Sequence, residues 1–291
     1  MSDIAIIGVG VMGAVAAERI IRAGHNLHVF DVSKKAMARF AGLGAAALAS
    51  PREAAERAEI ILMFLPGPAQ VEQCVAGQNG LLTSAFSGMI TVDLSTVDPG
   101  VSQRMAKAAD ALGAAYLDAP VLGRPSAVGN WALPVGGDAS SLERCRPVLE
   151  ILAANIFHVG PSGMGNRIKL LNQMMFGAIN AMTAEMMAVA DKMGIPPKLL
   201  YETITASQAG TVSNLFKELG KRIAENDYSN PTFSVNLLIK DVRLGVEMAR
   251  ESGAQVLLGQ TVEFINGLAR SQGQGEQDTA AMWKSMRNLC E

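Results

Sequence analysis

The chain has 291 residues, a formal net charge of −2, 49% hydrophobic residues and 18% charged ones. This length is enough for two domains with sizeable cores. The near balance of charge, with no clustered basic excess, excludes nucleic acid and anionic membrane surfaces as partners, and no run of ~18 uninterrupted apolar residues marks a membrane span. The three cysteines, Cys74, Cys145 and Cys290, form no CxxC pair, so neither a disulfide framework nor a cysteine zinc site is expected. They read as isolated thiols in a reducing cytoplasm, and no metal site is expected.

The opening residues, Met1-Ser-Asp-Ile, lead straight into a strand with no targeting leader. Strands are predicted at Ile4–Ile7, Leu27–Phe30, Ile60–Leu65, Met89–Leu94, Ala115–Asp118, Trp131–Val135 and Asn155–His158. Ala-rich helical stretches lie between most of them, the first over Met12–Ala23. Short apolar strands alternating with helices predict a doubly wound parallel sheet with both faces covered. Beyond Gly165 the strand signals stop. Helices are predicted at Ile168–Met193, Pro197–Ser207, Val212–Glu225, Val235–Ser252, Gln255–Gln272 and Thr279–Arg287. The first of these is apolar on nearly every side, so it must be covered within its domain or across a subunit interface. The fold class is therefore α/β followed by all-α, with domains at 1–162 and 163–291.

Gly8-Val9-Gly10-Val11-Met12-Gly13 follows the first strand and opens the first helix. In that context the GxGxxG spacing is a Rossmann-type dinucleotide signature. Gly8 makes the tight turn, Gly10 admits the pyrophosphate, and Gly13 lets the helix pack on the sheet. The helix N-terminus offers free N–H groups and partial positive charge to the phosphates. Asp31 ends the second strand, 18 residues past Gly13, where a carboxylate bonds both ribose hydroxyls and repels a 2′-phosphate. This favours NAD; Lys34 and Lys35 keep NADP open. The three histidines, His25, His28 and His158, flank strands and read as structural, so the catalytic acid must be of another type.

Lys169 and Asn172 share a helix face in an apolar setting of Ile168, Leu170, Leu171, Met174 and Met175. Unless paired, a lysine so placed has its pKa lowered by desolvation, which suits proton transfer near neutral pH. Asp93-Leu-Ser95-Thr96-Val-Asp-Pro99 ends a strand at the edge that faces the crevice of open α/β sheets. Ser95 and Thr96 there are candidates for the nicotinamide ribose or the substrate, and helix capping before Pro99 is compatible with both roles. Leu65-Pro66 ends a strand at the same edge, and Lys240-Asp241 reads as an ion pair on a helix.

Together these motifs, with Asp118-Ala-Pro-Val121, Gly165-x-x-x-Lys169-x-x-Asn172 and Phe233 through Lys240-Asp241, resemble the β-hydroxyacid dehydrogenase family over nearly the whole chain. The resemblance implies that Lys169 is the general acid in reduction and the base in oxidation, and that Asn172 holds the substrate oxygen. It implies that Leu65, Pro66, Gln70, Thr96 and Lys240 line the cofactor, and that the helical domain builds a homodimer or homotetramer. The partner is a small-molecule substrate, a hydroxyacid or semialdehyde.

One motif departs from the family's Asp-Ala-Pro-Val-Ser-Gly-Gly. Here it reads Asp118-Ala-Pro-Val-Leu122-Gly123-Arg124, with Trp131 further on. Leu122 removes a hydroxyl, Trp131 fills another small position, and Arg124 replaces glycine with a cation that grips a carboxylate as a fork or points to solvent; alternatively the pocket is reshaped for a different or larger substrate. The substrate-side set is thus Ser95, Leu122, Gly123, Arg124 and Asn172. An imine reductase of the same architecture and a non-catalytic NAD-binding module are the competing readings; the lysine argues against both.

Overall fold

The computed structural model describes residues 2–207 and 213–290. The chain divides into two compact units, Met1–Lys169 and Leu170–Glu291.

The first unit is built on one sheet of eight strands: β1 (Asp3–Ile7), β2 (Asn26–Phe30), β3 (Ala46–Ala47), β4 (Ile60–Met63), β5 (Ile90–Asp93), β6 (Ala115–Asp118), β7 (Trp131–Gly136) and β8 (Ala153–Gly160). Their spatial order is β3-β2-β1-β4-β5-β6-β7-β8. Helices α1 (Val11–Arg22), α2 (Lys34–Ala41), α3 (Pro51–Arg57), α4 (Pro68–Ala76), α5 (Pro99–Asp110) and α6 (Ala139–Leu149) cover its faces. Alternate residues of β1 serve opposite layers. Ile4 and Ile6 pack with Ala16, Ala17 and Ile20 of α1, whereas Ala5 and Ile7 pack with Ala54, Val71 and Val101 of α3, α4 and α5. A strand with two buried faces needs an unbroken apolar run, which is why it does not alternate with polar residues.

β1 to β6 are parallel, but β7 pairs antiparallel with β6, and β8 pairs parallel with β7. The all-parallel expectation fails at this one junction. A parallel return needs a crossover of a dozen or more residues, usually a helix, and residues 119–130 hold only a single 3-10 turn at Pro125–Ala127. The two-residue strand β3 was not anticipated; two alanines carry no strand signal.

The remaining helices are α7 (Met164–Lys192), α8 (Pro197–Ala206), α9 (Asn214–Glu225), α10 (Val235–Glu251), α11 (Leu257–Ala269) and α12 (Met282–Cys290). The helix expected from Val212 is seen from Asn214; Val212 lies outside the described residues. In the second unit Ala184, Met187 and Ala188 of α7 share a core with Leu219, Ile223, Leu238, Val242, Val262 and Met282. The other side of α7 leaves Leu171, Met175, Met182, Met186 and Val189 exposed. Among the described residues no helix is long and apolar enough to cross a membrane.

Candidate active site

Because β1, β2, β4, β5 and β6 run parallel, their carboxyl ends bring Gly8, Asp31, Leu65, Ser95, Thr96 and Asp118 to one edge of the sheet. Gly8 has φ +87°, and a Cβ there would lie 2.2 Å from the Phe64 carbonyl oxygen. At Gly13 it would lie 1.9 Å from the Gly8 oxygen. Both positions therefore demand glycine. Gly10 differs: nothing lies within 4 Å of its would-be Cβ, it is exposed, and it caps α1 with no side-chain bond to the first turn. An open backbone next to unpaired helix N–H groups suits an approaching pyrophosphate.

The Asp31 carboxylate accepts from the Val9 N–H at 2.9 Å and the Ser33 N–H at 2.8 Å. It thereby ties the glycine turn to the end of β2. The carboxylate lies just past the end of β2, while Lys34 and Lys35 are exposed in the first turn of α2. The edge thus fits a dinucleotide.

Behind the edge lies a buried network. The Asp93 carboxylate accepts from the Ser95 N–H at 2.9 Å and the Tyr116 hydroxyl at 2.6 Å, and the Ser95 hydroxyl accepts from the Leu65 N–H at 2.8 Å. Burial first, and then the Asp93 charge, hold the Tyr116 phenol well above its ordinary pKa, so it stays neutral and keeps the proton it donates to Asp93. Ser95 is 3% exposed and braces the β4 and β5 loops against each other. Thr96 is half-buried and Pro66 and Gln70 are exposed. Asp98 caps α5 by accepting from the Gly100 N–H at 2.8 Å, as the capping reading expected.

The Lys169 ammonium donates to the Val121 carbonyl at 2.9 Å, and its side chain is half-buried. Leu122, Gly123 and Arg124 follow directly. Leu122 pairs with Ala132 through two backbone bonds of 2.9 and 3.1 Å. Trp131, read as filling a small position of the family's motif, is fully buried in the core. It packs on Gly123, where a Cβ would come within 2.5 Å of its ring, and its indole N–H donates to the Arg124 carbonyl at 2.8 Å. A large aromatic therefore props this loop from beneath. The Arg124 side chain is half-buried, not spread into solvent.

In the helical unit Asn172 is exposed and donates to the Gln173 Oε1 at 3.3 Å. Gln173 Nε2 in turn donates to the buried Asp241 carboxylate at 2.6 Å, whose other oxygen holds Lys240 at 2.9 Å. The expected Lys240-Asp241 ion pair is present. Gln173 carried no sequence signal beyond its place one residue after Asn172.

The cysteines are free. Burial pushes the Cys74 and Cys145 thiols up to about 12, which leaves them unreactive. Among the described residues no group of three His, Cys, Asp or Glu side chains can hold a metal ion.

Residues 3–160 match the family model of the NAD binding domain of 6-phosphogluconate dehydrogenase, and residues 163–286 match that of the NAD-binding region of NADP-dependent 3-hydroxyisobutyrate dehydrogenase. The chain is 34% identical to the NAD-dependent L-serine dehydrogenase of Pseudomonas aeruginosa, covering 98% of this chain and 97% of that one. It is 36% identical to the 3-hydroxyisobutyrate dehydrogenase of the same organism, over 89% of each chain. The crystal structure of 3-hydroxyisobutyrate dehydrogenase from Salmonella typhimurium superposes with a TM-score of 0.90 at 29% identity, over 98% of this chain and 99% of that one. With a dinucleotide edge, a lysine held beside the β6–β7 loop and these matches across both units, the chain belongs to the β-hydroxyacid dehydrogenase family of NAD(P)-dependent oxidoreductases.

Proposed function

We propose that the protein interconverts a small 3-hydroxyacid and its semialdehyde, with residues 1–162 binding the dinucleotide and 163–291 serving substrate binding and oligomerisation. The observation that carries this reading is the Lys169 amine, held 2.9 Å from the Val121 carbonyl at the mouth of the Leu122–Arg124 loop. The bound nicotinamide supplies hydride acceptance and return at the carbinol carbon. In oxidation Lys169 takes the proton from the substrate hydroxyl; in reduction it gives a proton to the carbonyl oxygen, a contribution of typically ~10²–10⁴-fold. The Val121 carbonyl accepts one N–H of the amine at 2.9 Å and so fixes its direction. Asn172, one turn further along α7, fixes that oxygen by donating from its amide.

Arg124 is assigned to the substrate carboxylate, which its fork meets with two parallel bonds. L-serine and 3-hydroxyisobutyrate, named in two relatives, both carry a carboxylate two bonds from the carbinol carbon, and Leu122 offers an apolar wall where the family has serine. Ser95 supports that pocket through the Leu65 amide. Gly8, Val9, Gly10, Val11, Met12, Gly13, Asp31, Leu65, Pro66, Gln70, Thr96 and Lys240 are assigned to the cofactor. The Asp31 carboxylate favours NAD over NADP. The exposed apolar side of α7, from Leu171 to Val189, with exposed Leu257, Leu258 and Phe264 of α11, supports a homodimer or homotetramer through the helical unit. The free thiols suit the reducing cytoplasm.

A cofactor-coupled screen of small hydroxyacids, semialdehydes and cyclic imines, run with NAD and NADP in parallel, tests the reading. Lys169→Ala should lower kcat by ~10²-fold or more and leave cofactor Kd within about twofold. Activity confined to cyclic imines, or equal losses in kcat and cofactor binding, refutes the assignment.

A further inference from the structure

The Lys169 amine donates to the Val121 carbonyl, and the lysine's backbone is held by a second and more deeply buried device. Asp118 ends β6 with no exposed surface. Its Oδ1 accepts from the Gly163 N–H at 2.7 Å and its Oδ2 from the Asn166 N–H at 2.9 Å. These amides belong to the first turn of α7 and the residue before it, and a helix of this length leaves its leading N–H groups without intrahelical partners. The carboxylate is thus an N-terminal cap supplied from a strand instead of from the helix's own sequence.

Space for the cap is made deliberately. A Cβ on Gly165 would fall 2.4 Å from the Asp118 carbonyl oxygen and 3.0 Å from its Oδ2, and one on Gly136 would fall 2.6 Å from Oδ1. Asn166, also fully buried, extends the clamp: its Oδ1 accepts from the Val97 N–H at 3.1 Å and its Nδ2 donates to the Ser102 hydroxyl at 3.1 Å. The start of α7 is therefore pinned both to the end of β6 and to the loop that carries Ser95 and Thr96. Lys169 lies three residues past Asn166, and its amine returns to Val121, three residues past Asp118. The two segments form a closed bracket, with the clamp at one end and the amine at the other.

We propose that Asp118 is a positioning residue: its carboxylate fixes the first turn of α7, and through it the Lys169 amine, against the segment that leads into Leu122–Arg124. A structural cap alone does not account for the choice of residue. Burial raises the Asp118 carboxyl to about 6 from its ordinary 3.8, against the lowering effect of the two amides. The titratable groups facing it are the Asp93 carboxylate on β5, which raises it further, and the Tyr116 hydroxyl bonded to Asp93. From β7 and the turn before α7 come glycine, proline and backbone amides. A neutral side chain would hold the fold at lower cost. An ionised carboxylate, however, presents a separate acceptor oxygen to each amide, whereas asparagine has a single acceptor oxygen and puts an NH₂ donor in place of the other.

This inference rests on the role proposed for Lys169, and the test separates the two. Asp118→Asn should lower kcat about 10- to 100-fold, the scale of a misplacement near 1 Å. Substrate KM and NAD Kd should stay within about twofold, and the urea midpoint at pH 7.5 should not fall. A kcat within about twofold of the parent overturns the proposal, and so does a loss that tracks a lower urea midpoint or weaker NAD binding. If that variant does not fold, Ser102→Ala decides: a loss of about threefold or more in kcat with the same KM and Kd supports the clamp, and an unchanged kcat overturns it. Full activity in Lys169→Ala, by contrast, removes the underlying reading whatever Asp118 does.

Discussion

Asp118→Asn also measures the thermodynamic cost of the clamp. The carboxyl moves from 3.8 in the unfolded chain to about 6 in the folded protein, so the native state holds the proton more tightly. At about 1.4 kcal/mol per pH unit this amounts to about 3 kcal/mol. Below pH 3.8 both states are protonated and the cost is absent. Between pH 3.8 and about 6 the native state binds more protons than the unfolded state, so stability falls as pH rises; above pH 6 the full cost of the buried charge stands. Asparagine is close in shape to the neutral acid and does not titrate. The stability of the variant minus that of the parent should therefore sit near zero at pH 3.5 and climb by up to about 3 kcal/mol by pH 7. The measurement is urea unfolding from pH 3.5 to 8. Trp131 lies in the first unit and Trp283 in the second, and these are the only tryptophans. A Trp283→Phe background makes the fluorescence of Trp131 report the first unit alone. A difference that stays flat across the series refutes the burial argument, because it means the carboxyl ionises as easily in the folded protein as in the unfolded chain.

Gly10→Ala should fold as the parent does, since its Cβ meets nothing, but weaken NAD binding by about tenfold or more by blocking pyrophosphate approach; isothermal titration reads this directly. Gly8→Ala should instead lose at least about 2 kcal/mol of stability, because φ is +87° and the Phe64 oxygen is in the way. Asp31→Asn should raise the ratio of kcat/KM with NADP to that with NAD by about tenfold, since a 2′-phosphate no longer meets a negative charge; a ratio that does not move assigns the preference elsewhere. Met186→Glu places a charge on the exposed apolar side of α7 and should reduce the oligomer to monomer in sedimentation velocity without lowering the helical content.

Local rules made much of this protein legible. The glycine turn, the alternation of strands and helices and the change to helices after Gly165 are all set by backbone sterics and apolar periodicity, which neighbouring residues specify among themselves. Lys169 stood out because a lysine among Ile168, Leu170 and Leu171 is physically expensive. The reversal of β7 was readable only as a missing helix between Asp118 and Trp131. Trp131 stood out only as a departure from the family's motif, because its partners, Phe64 and Gly123, are set by folding and not by spacing.

The clamp lay outside that reach. Nothing adjacent to Asp118 announces that it will cap a helix beginning 46 residues later, that Asn166 will bridge to Val97 and Ser102, or that Gln173 will stand between Asn172 and Asp241. Hydrogen bonds between distant segments depend on distances of a few tenths of an ångström, and sequence neighbours do not encode these. They exist once the sheet has brought β5 and β6 side by side and laid the first turn of α7 across their ends.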